Sequence, residues 1–302
     1  MERFGVGITR TIDNQQELIF KCAISEDTYK DYSKHYLNIS KFFNQQELFQ
    51  MLAVNYLELN EYFESVLGQF IQKASANMLN DDDGVIYLVS RNSNRLLLNL
   101  LSSVRTYLDH TTTYLKRKYP KDSDQVKVFI KKTNELYDNN FEYRFIGKLR
   151  NYAQHCGLPM NGIDISIVLS AENKRQLVIA PLFKMNALIN DFDEWGSRLK
   201  EDFKVINYDL KALKIMAVYY DLMMELNQTV IEIESKALGD SISFLENFKH
   251  EYFSAEEIGD SNNTTKCCVL SEIVRGDPNT REITFSAQVY PSLIIEIIKT
   301  VL

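Results

Sequence analysis

Arg150, Asn151 and His155 are the residues of this chain whose types and spacing best suit chemistry. They lie in the run Arg150-Asn151-Tyr152-Ala153-Gln154-His155, followed by Cys156-Gly157-Leu158-Pro159. An arginine can grip a phosphodiester with two parallel hydrogen bonds and stabilise the charge that builds on it. A histidine exchanges protons near neutral pH, so it can take the proton of a ribose 2′-OH or return one to a leaving oxygen. The asparagine can orient the imidazole or contact a phosphate. These types together suit RNA cleavage without a metal.

Such a triplet needs a helix to hold it. The spacing predicts a helix over about 142–156, with Gly157 suited to a left-handed closing residue and Pro159 preventing continuation. At about 100° per residue, Phe145, Ile146, Leu149, Tyr152, Ala153 and Cys156 share an apolar face. Arg150, Asn151, Gln154 and His155 fall on the other side, towards solvent or a partner. Asn151 and His155, four apart, are neighbours on that side. The long side chain of Arg150 can curl towards the same groove. A second Arg-x-x-x-x-His match, Arg105 to His110, flanks the apolar stripe of the preceding helix and reads as solvated surface.

Charge points to the same region. The 302-residue chain carries a net charge of -7, which taken alone disfavours a nucleic-acid partner. Residues 91–150, however, hold 13 Lys/Arg against 6 Asp/Glu, a local +7. The remainder holds 21 against 35, a balance of -14. Within the basic stretch, Lys116, Arg117 and Lys118 are candidate RNA-binding residues. Their other use is to neutralise the C-terminal end of a helix.

Other chemistries find little support. Cys22, Cys156, Cys267 and Cys268 form no Cys-x-x-Cys pair, so no metal site is expected and the thiols read as free. Gly5-Val6-Gly7 lacks the third glycine of a dinucleotide loop, and no cofactor is expected. Asp81-Asp82-Asp83-Gly84 lacks the spaced ligands of a calcium loop and reads as a solvated turn. Phe141, Tyr143 and Phe145 can stack on bases, but core packing is their commoner use. No apolar run nears the roughly 20 residues of a membrane span, and the first residues show no signal-peptide pattern, so a cytoplasmic protein is expected.

The elements around the site read as mainly helical. An apolar stripe from Leu48 to Phe70 makes a helix over 44–73, with Met51 counted in the stripe. A loop or linker is expected at 74–84. A helix from about Ser93 to Tyr119 ends at Pro120, and Asp122 or Ser123 caps a third. A β-branched run over 163–170 that starts by alternating apolar with polar, and a mostly apolar run over 176–183, predict an inserted hairpin about a turn at 171–174. A long amphipathic helix spans about 208–238. Strands at 269–274 and 282–289, flanking a turn at 275–280, precede a last helix after Pro291. Three segments result: a helical arm over 1–80, a helical bundle over 90–240 carrying the hairpin at 163–183, and a C-terminal α+β extension over 241–302.

A helix ending in Arg-Asn-x-x-x-His, preceded by a Leu-rich helix pair, resembles the HEPN superfamily. That resemblance covers about residues 90–235, leaving out the hairpin. It implies an HEPN-like helical bundle and a metal-independent endoribonuclease or RNA-binding protein. It also implies a homodimer in which the motifs of two protomers meet. Carried over, Arg150 and His155 are the catalytic pair and Asn151 the polar residue after the arginine. The resemblance alone suggests bacterial defence or toxin–antitoxin physiology. The competing reading is a non-catalytic helical scaffold that uses the same polar face as a dimer or partner interface.

Overall fold

Val6 and Ile8 stand two apart, so a strand points both to one side, and both are buried. Their strand, β1 (Glu2–Ile12), is central in a four-stranded antiparallel sheet. β2 (Gln15–Ile24) pairs on one side of it, and β6 (Thr265–Arg275) followed by β7 (Glu282–Val289) on the other. Val6 faces Val269 and Ile8 faces Cys267 across the β1/β6 ladder. The β1/β2 register slips between Val6 and Gly7. There a Cβ on Gly7 would come within 2.7 Å of the Ile19 carbonyl oxygen, and one on Gly5 within 2.9 Å of that of Cys22. The paired glycines thus serve close strand approach at a bulge.

The protein is described by a computed structural model over residues 2–12, 15–75, 83–169, 175–206, 208–258, 265–275 and 282–302. Two compact units emerge, one of residues 1–44 with 231–302 and one of residues 45–230. Their divisions fall inside two long helices, α1 (Glu26–Ser75) and α7 (Ala212–Tyr252). The sequence reading placed its divisions near 80–90 and 240 instead.

In the first unit, the sheet packs on the opening turns of α1, the closing turns of α7 and α9 (Ser292–Val301). Tyr32, Ile39, Phe42, Leu238, Leu245 and Ile298 fill that core. A helical arm at the N-terminus is therefore corrected: residues 2–12 and 15–24 are strands. β2 pairs locally with β1, but β1's other partner, β6 at 265–275, lies more than 250 residues away, and local periodicity cannot register it. The C-terminal hairpin is accordingly half of a sheet, and 241–252 belong to α7. Of its turn, expected at 275–280, only Arg275 is described, as the end of β6; the hairpin turn expected at 171–174 lies outside the described residues, as do 76–82 of the linker expected at 74–84, whose described ends are helical.

The second unit is built from the rest of α1, then α2 (Asp83–Lys118), α3 (Asp124–Asn139) and α4 (Phe141–His155). The hairpin of β3 (Gly162–Leu169) and β4 (Arg175–Phe183) follows, with α5 (Met185–Asp191), α6 (Ser197–Val205) and β5 (Leu210–Lys211), which extends the hairpin's sheet along β4. Asp83 and Gly84 open α2 instead of closing a turn. α3 begins where expected, with Ser123 Oγ accepting from the Val126 amide at 3.4 Å. Met51 stands exposed and off the core stripe of α1, which runs through Phe49, Leu52, Leu59, Phe63 and Val66.

A buried polar layer ties three helices of this unit together. Tyr107 Oη donates to Asn227 Oδ1 at 2.8 Å, and Asn227 Nδ2 donates to Gln46 Oε1 at 3.0 Å. Gln46 Nε2 returns a bond to Asn227 Oδ1 at 3.3 Å, and Gln45 donates to Thr111 Oγ1. Fully paired groups of this kind fix helix register at little net cost. Overall the chain is mainly helical, with two small antiparallel sheets. Among the described residues no helix is long and apolar enough to cross a membrane.

Candidate functional site at the end of helix α4

α4 is fixed from both ends of its inner face. Phe145 and Tyr152 each stack on the buried Trp195, at centroid distances of 5.8 and 6.1 Å and interplanar angles of 15° and 16°. Two residues seven apart on a helix lie on one side, so one indole anchors about two turns. Phe183, Phe192 and Phe203 close around that indole-centred cluster edge-on. Phe141 stacks on Phe145 at 5.4 Å and Tyr143 lies 5.9 Å from Tyr219, so these aromatics pack inward instead of waiting for bases.

Arg144 is the polar bolt of this helix. Only 5% of its side chain is exposed. Its Nε and Nη2 donate to the two oxygens of Asp202 on α6, at 3.0 and 3.2 Å. Its Nη1 donates to the Tyr137 and Asp138 carbonyls, at 2.6 and 3.0 Å, where α3 ends. One guanidinium thus joins α3, α4 and α6 and satisfies carbonyls a helix end leaves open. Tyr152 donates its hydroxyl to Asp191 at 3.4 Å. Burial, and then the Asp191 carboxylate, push that phenol's pKa up, so it remains a donor at neutral pH.

The outer face contrasts with this. His155 and Gln154 are exposed, and Arg150 and Asn151 are half-buried. Among the described residues no hydrogen bond or ion pair engages the side chains of Arg150, Asn151 or His155. The three sit in the last two turns of α4, as the wheel requires. The closing geometry differs from the expectation. Cys156 is exposed, not on the core face, because it is already the C-cap at φ -119° and ψ -46°. Gly157 is not left-handed; the helix closes with the amides of both Cys156 and Gly157 on the Tyr152 carbonyl, at 2.8 and 3.4 Å. Among the described glycines of this unit, the positive φ belongs to Gly196, ahead of α6.

The segment after α4 is clamped to α2. Asn94 Nδ2 donates to the Met160 carbonyl at 2.7 Å, and the Met160 amide donates to Asn94 Oδ1 at 2.9 Å. This pair of buried bonds holds the chain five residues beyond His155. It went unread because an asparagine inside a helix reads only as a weak helix former.

The expected RNA-binding residues stand elsewhere. Lys116 lies 22 residues along α2 from Asn94, about 33 Å at the rise of a helix. Lys116 and Arg117 are exposed. Lys118 is half-buried, its ammonium 5.5 and 5.4 Å from the ring centres of Tyr114 and Tyr119 and bonded to the Tyr114 hydroxyl at 3.2 Å. Those contacts already occupy one of the three cations.

Of the cysteines, Cys22 and Cys156 are exposed and Cys267 and Cys268 buried, all as free thiols. Burial raises both buried thiols' pKa values, that of Cys268 to about 11. Among the described residues no group of three or more His, Cys, Asp or Glu side chains is arranged to hold a metal. No family model, curated protein or solved structure matches the chain.

Proposed function

We propose that this protein is a metal-independent endoribonuclease or RNA-binding protein of HEPN type, acting as a cytoplasmic homodimer in defence or toxin–antitoxin physiology. The observation that carries the reading is the outer face of α4. An arginine, an asparagine and a histidine stand there without partners among the described residues, on a helix whose inner face is packed. The chemistry of these three side chains suits phosphodiester cleavage.

In this reading Arg150 holds the scissile phosphate and offsets the charge gathering on its oxygens. His155 takes the 2′-OH proton as that oxygen attacks phosphorus. The bond from phosphorus to the 5′-oxygen then breaks, leaving a 2′,3′-cyclic phosphate. The departing oxygen gains a proton from water or from the same histidine of a second copy, and becomes a 5′-OH. Asn151, four residues before His155, orients the imidazole.

Incubation of the full chain with single-stranded RNA in EDTA tests this. Cyclic-phosphate products that disappear with His155→Ala are expected. Undiminished cleavage by His155→Ala overturns the catalytic role. A second reading draws on Leu158, which is 54% exposed just beyond the exposed Cys156: a non-catalytic scaffold that meets its partner through this end of α4. For that reading, Leu158→Asp disrupts association in sedimentation experiments while no RNA is cut by any variant.

A further inference from the structure

α2 carries a second set of unpaired groups that neither the candidate cleavage residues nor the core uses. Tyr87, Arg91 and Arg95 follow one another at four-residue steps, so they form one file along the helix. All three are exposed, Tyr87 by 66%. Among the described residues no ion pair, hydrogen bond or ring contact engages any of them. Two arginines one turn apart repel each other unless an anion sits between them. The 36 residues of α2 supply none nearby: their only acids are Asp83, eight residues before Arg91, and Asp109, which pairs with Arg105.

Position gives the file its meaning. Asn94, which grips Met160 through two hydrogen bonds, lies between Arg91 and Arg95 in sequence. Both arginines are therefore within one turn of the point where α2 holds the chain after α4. Met160 is five residues from His155, a reach of at most about 17 Å even if extended. The Lys116–Lys118 cluster, by contrast, lies about 33 Å along α2 from the same point.

We propose that Tyr87, Arg91 and Arg95 form the strand-binding strip of the α4 site: the tyrosine stacks on a base, and the two guanidinium groups hold successive phosphates of single-stranded RNA. This assignment rests on the reading of that site as RNA-directed. An exposed aromatic in line with unpaired arginines is the arrangement that binds single strands without reading sequence, because every base offers a π-face and every nucleotide a phosphate. Guanidinium also suits phosphate better than ammonium does, since it binds with two donors at once. A duplex hides its base faces, so the tyrosine gains nothing from it.

The test is equilibrium binding of a labelled single-stranded oligoribonucleotide to the full chain, as wild type, Arg91→Gln/Arg95→Gln, Tyr87→Ala, Tyr87→Phe and His110→Ala. Glutamine keeps helix propensity and length, so thermal melts of the double variant should match wild type. Loss of both arginines is expected to weaken binding at least tenfold. It should also lower the slope of log affinity against log salt by about 1.4, two single-strand contacts at about 0.7 each. Tyr87→Ala should weaken binding about tenfold and Tyr87→Phe restore it. His110→Ala, outside the site, should bind like wild type. Unchanged affinity and salt slope in the double variant overturn the strip and leave the cleavage reading standing. Strip-dependent binding by a protein that cuts no RNA sinks the cleavage reading and leaves the strip. Absence of RNA binding by wild type overturns both. Equal, strip-dependent binding of a polyglutamate peptide would mark the face as an acidic-protein contact and overturn the assignment to RNA.

Discussion

Arg105 to His110 on α2 and Arg150 to His155 on α4 have the same spacing and opposite circumstances. Both histidines and Arg105 are exposed. Arg105, however, lies mid-helix and donates its Nε to Asp109 at 2.7 Å, so its charge is already answered by an acid one turn on. Arg150 has no such acid among the described residues, and its run ends the helix, where backbone carbonyls lose their helical partners and the chain turns away. The comparison teaches that an arginine–histidine interval is only a distance. What separates a candidate site from solvated surface is the absence of a neutralising partner and the irregular backbone beside it.

Removing each histidine sharpens this contrast most strongly. We expect His155→Ala to lower RNA cleavage by about 10²–10⁴-fold, roughly 3–5 kcal/mol of barrier, with an unchanged melting curve. His110→Ala should leave the rate as it was. Equal losses from both, measured as initial rates on one labelled RNA, would mean that the two motifs are not different in kind.

The arginines supply the next largest effect, this time in stability. Arg144→Met strips Asp202 of its bidentate partner and leaves the Tyr137 and Asp138 carbonyls unbonded, at a cost of about 3 kcal/mol in urea denaturation. Arg150→Met, six residues on, should change stability by less than about 0.5 kcal/mol. A comparable loss from both would make Arg150 a structural arginine and remove the phosphate grip from the proposed chemistry.

The same contrast explains what the sequence disclosed. α3 and the outer face of α4 were legible because a cap, a proline and a 3.6-residue period act over a few residues, as Ser123 and Pro120 do. Arg144 was not, because its acid, Asp202, lies 58 residues away on a short helix with no distinctive pattern. The first 24 residues escaped for the same reason: β1 is completed by the distant β6, and a hairpin has weak signal until that partner is known. Cys156 and Gly157 were misplaced because the period was carried one residue past the helix end, where it no longer governs direction. The Lys116–Lys118 cluster stands out in sequence by its charge density, which contains no information about distance from α4.

Asn94→Ala probes the backbone beside the site. It removes both buried bonds to Met160, so a loss of about 2 kcal/mol is expected, together with slower cleavage as the end of α4 loosens. A destabilised variant with full activity under folding conditions would show that the clamp supports the fold alone.

The smallest expected effect is the most pointed. Asp109→Asn releases Arg105 without touching the spacing to His110. Exposed pairs of this kind contribute about 0–1 kcal/mol, so the melting temperature should hardly move. Removing one negative charge should raise RNA affinity by no more than about threefold, through the general field of α2. Cleavage should remain wholly dependent on His155. If neutralisation by Asp109 were all that kept the α2 motif silent, the variant would acquire a second activity that His110→Ala abolishes. Its absence would leave the helix end, with its turning backbone and the clamp behind it, as what the α4 motif has and the α2 motif lacks.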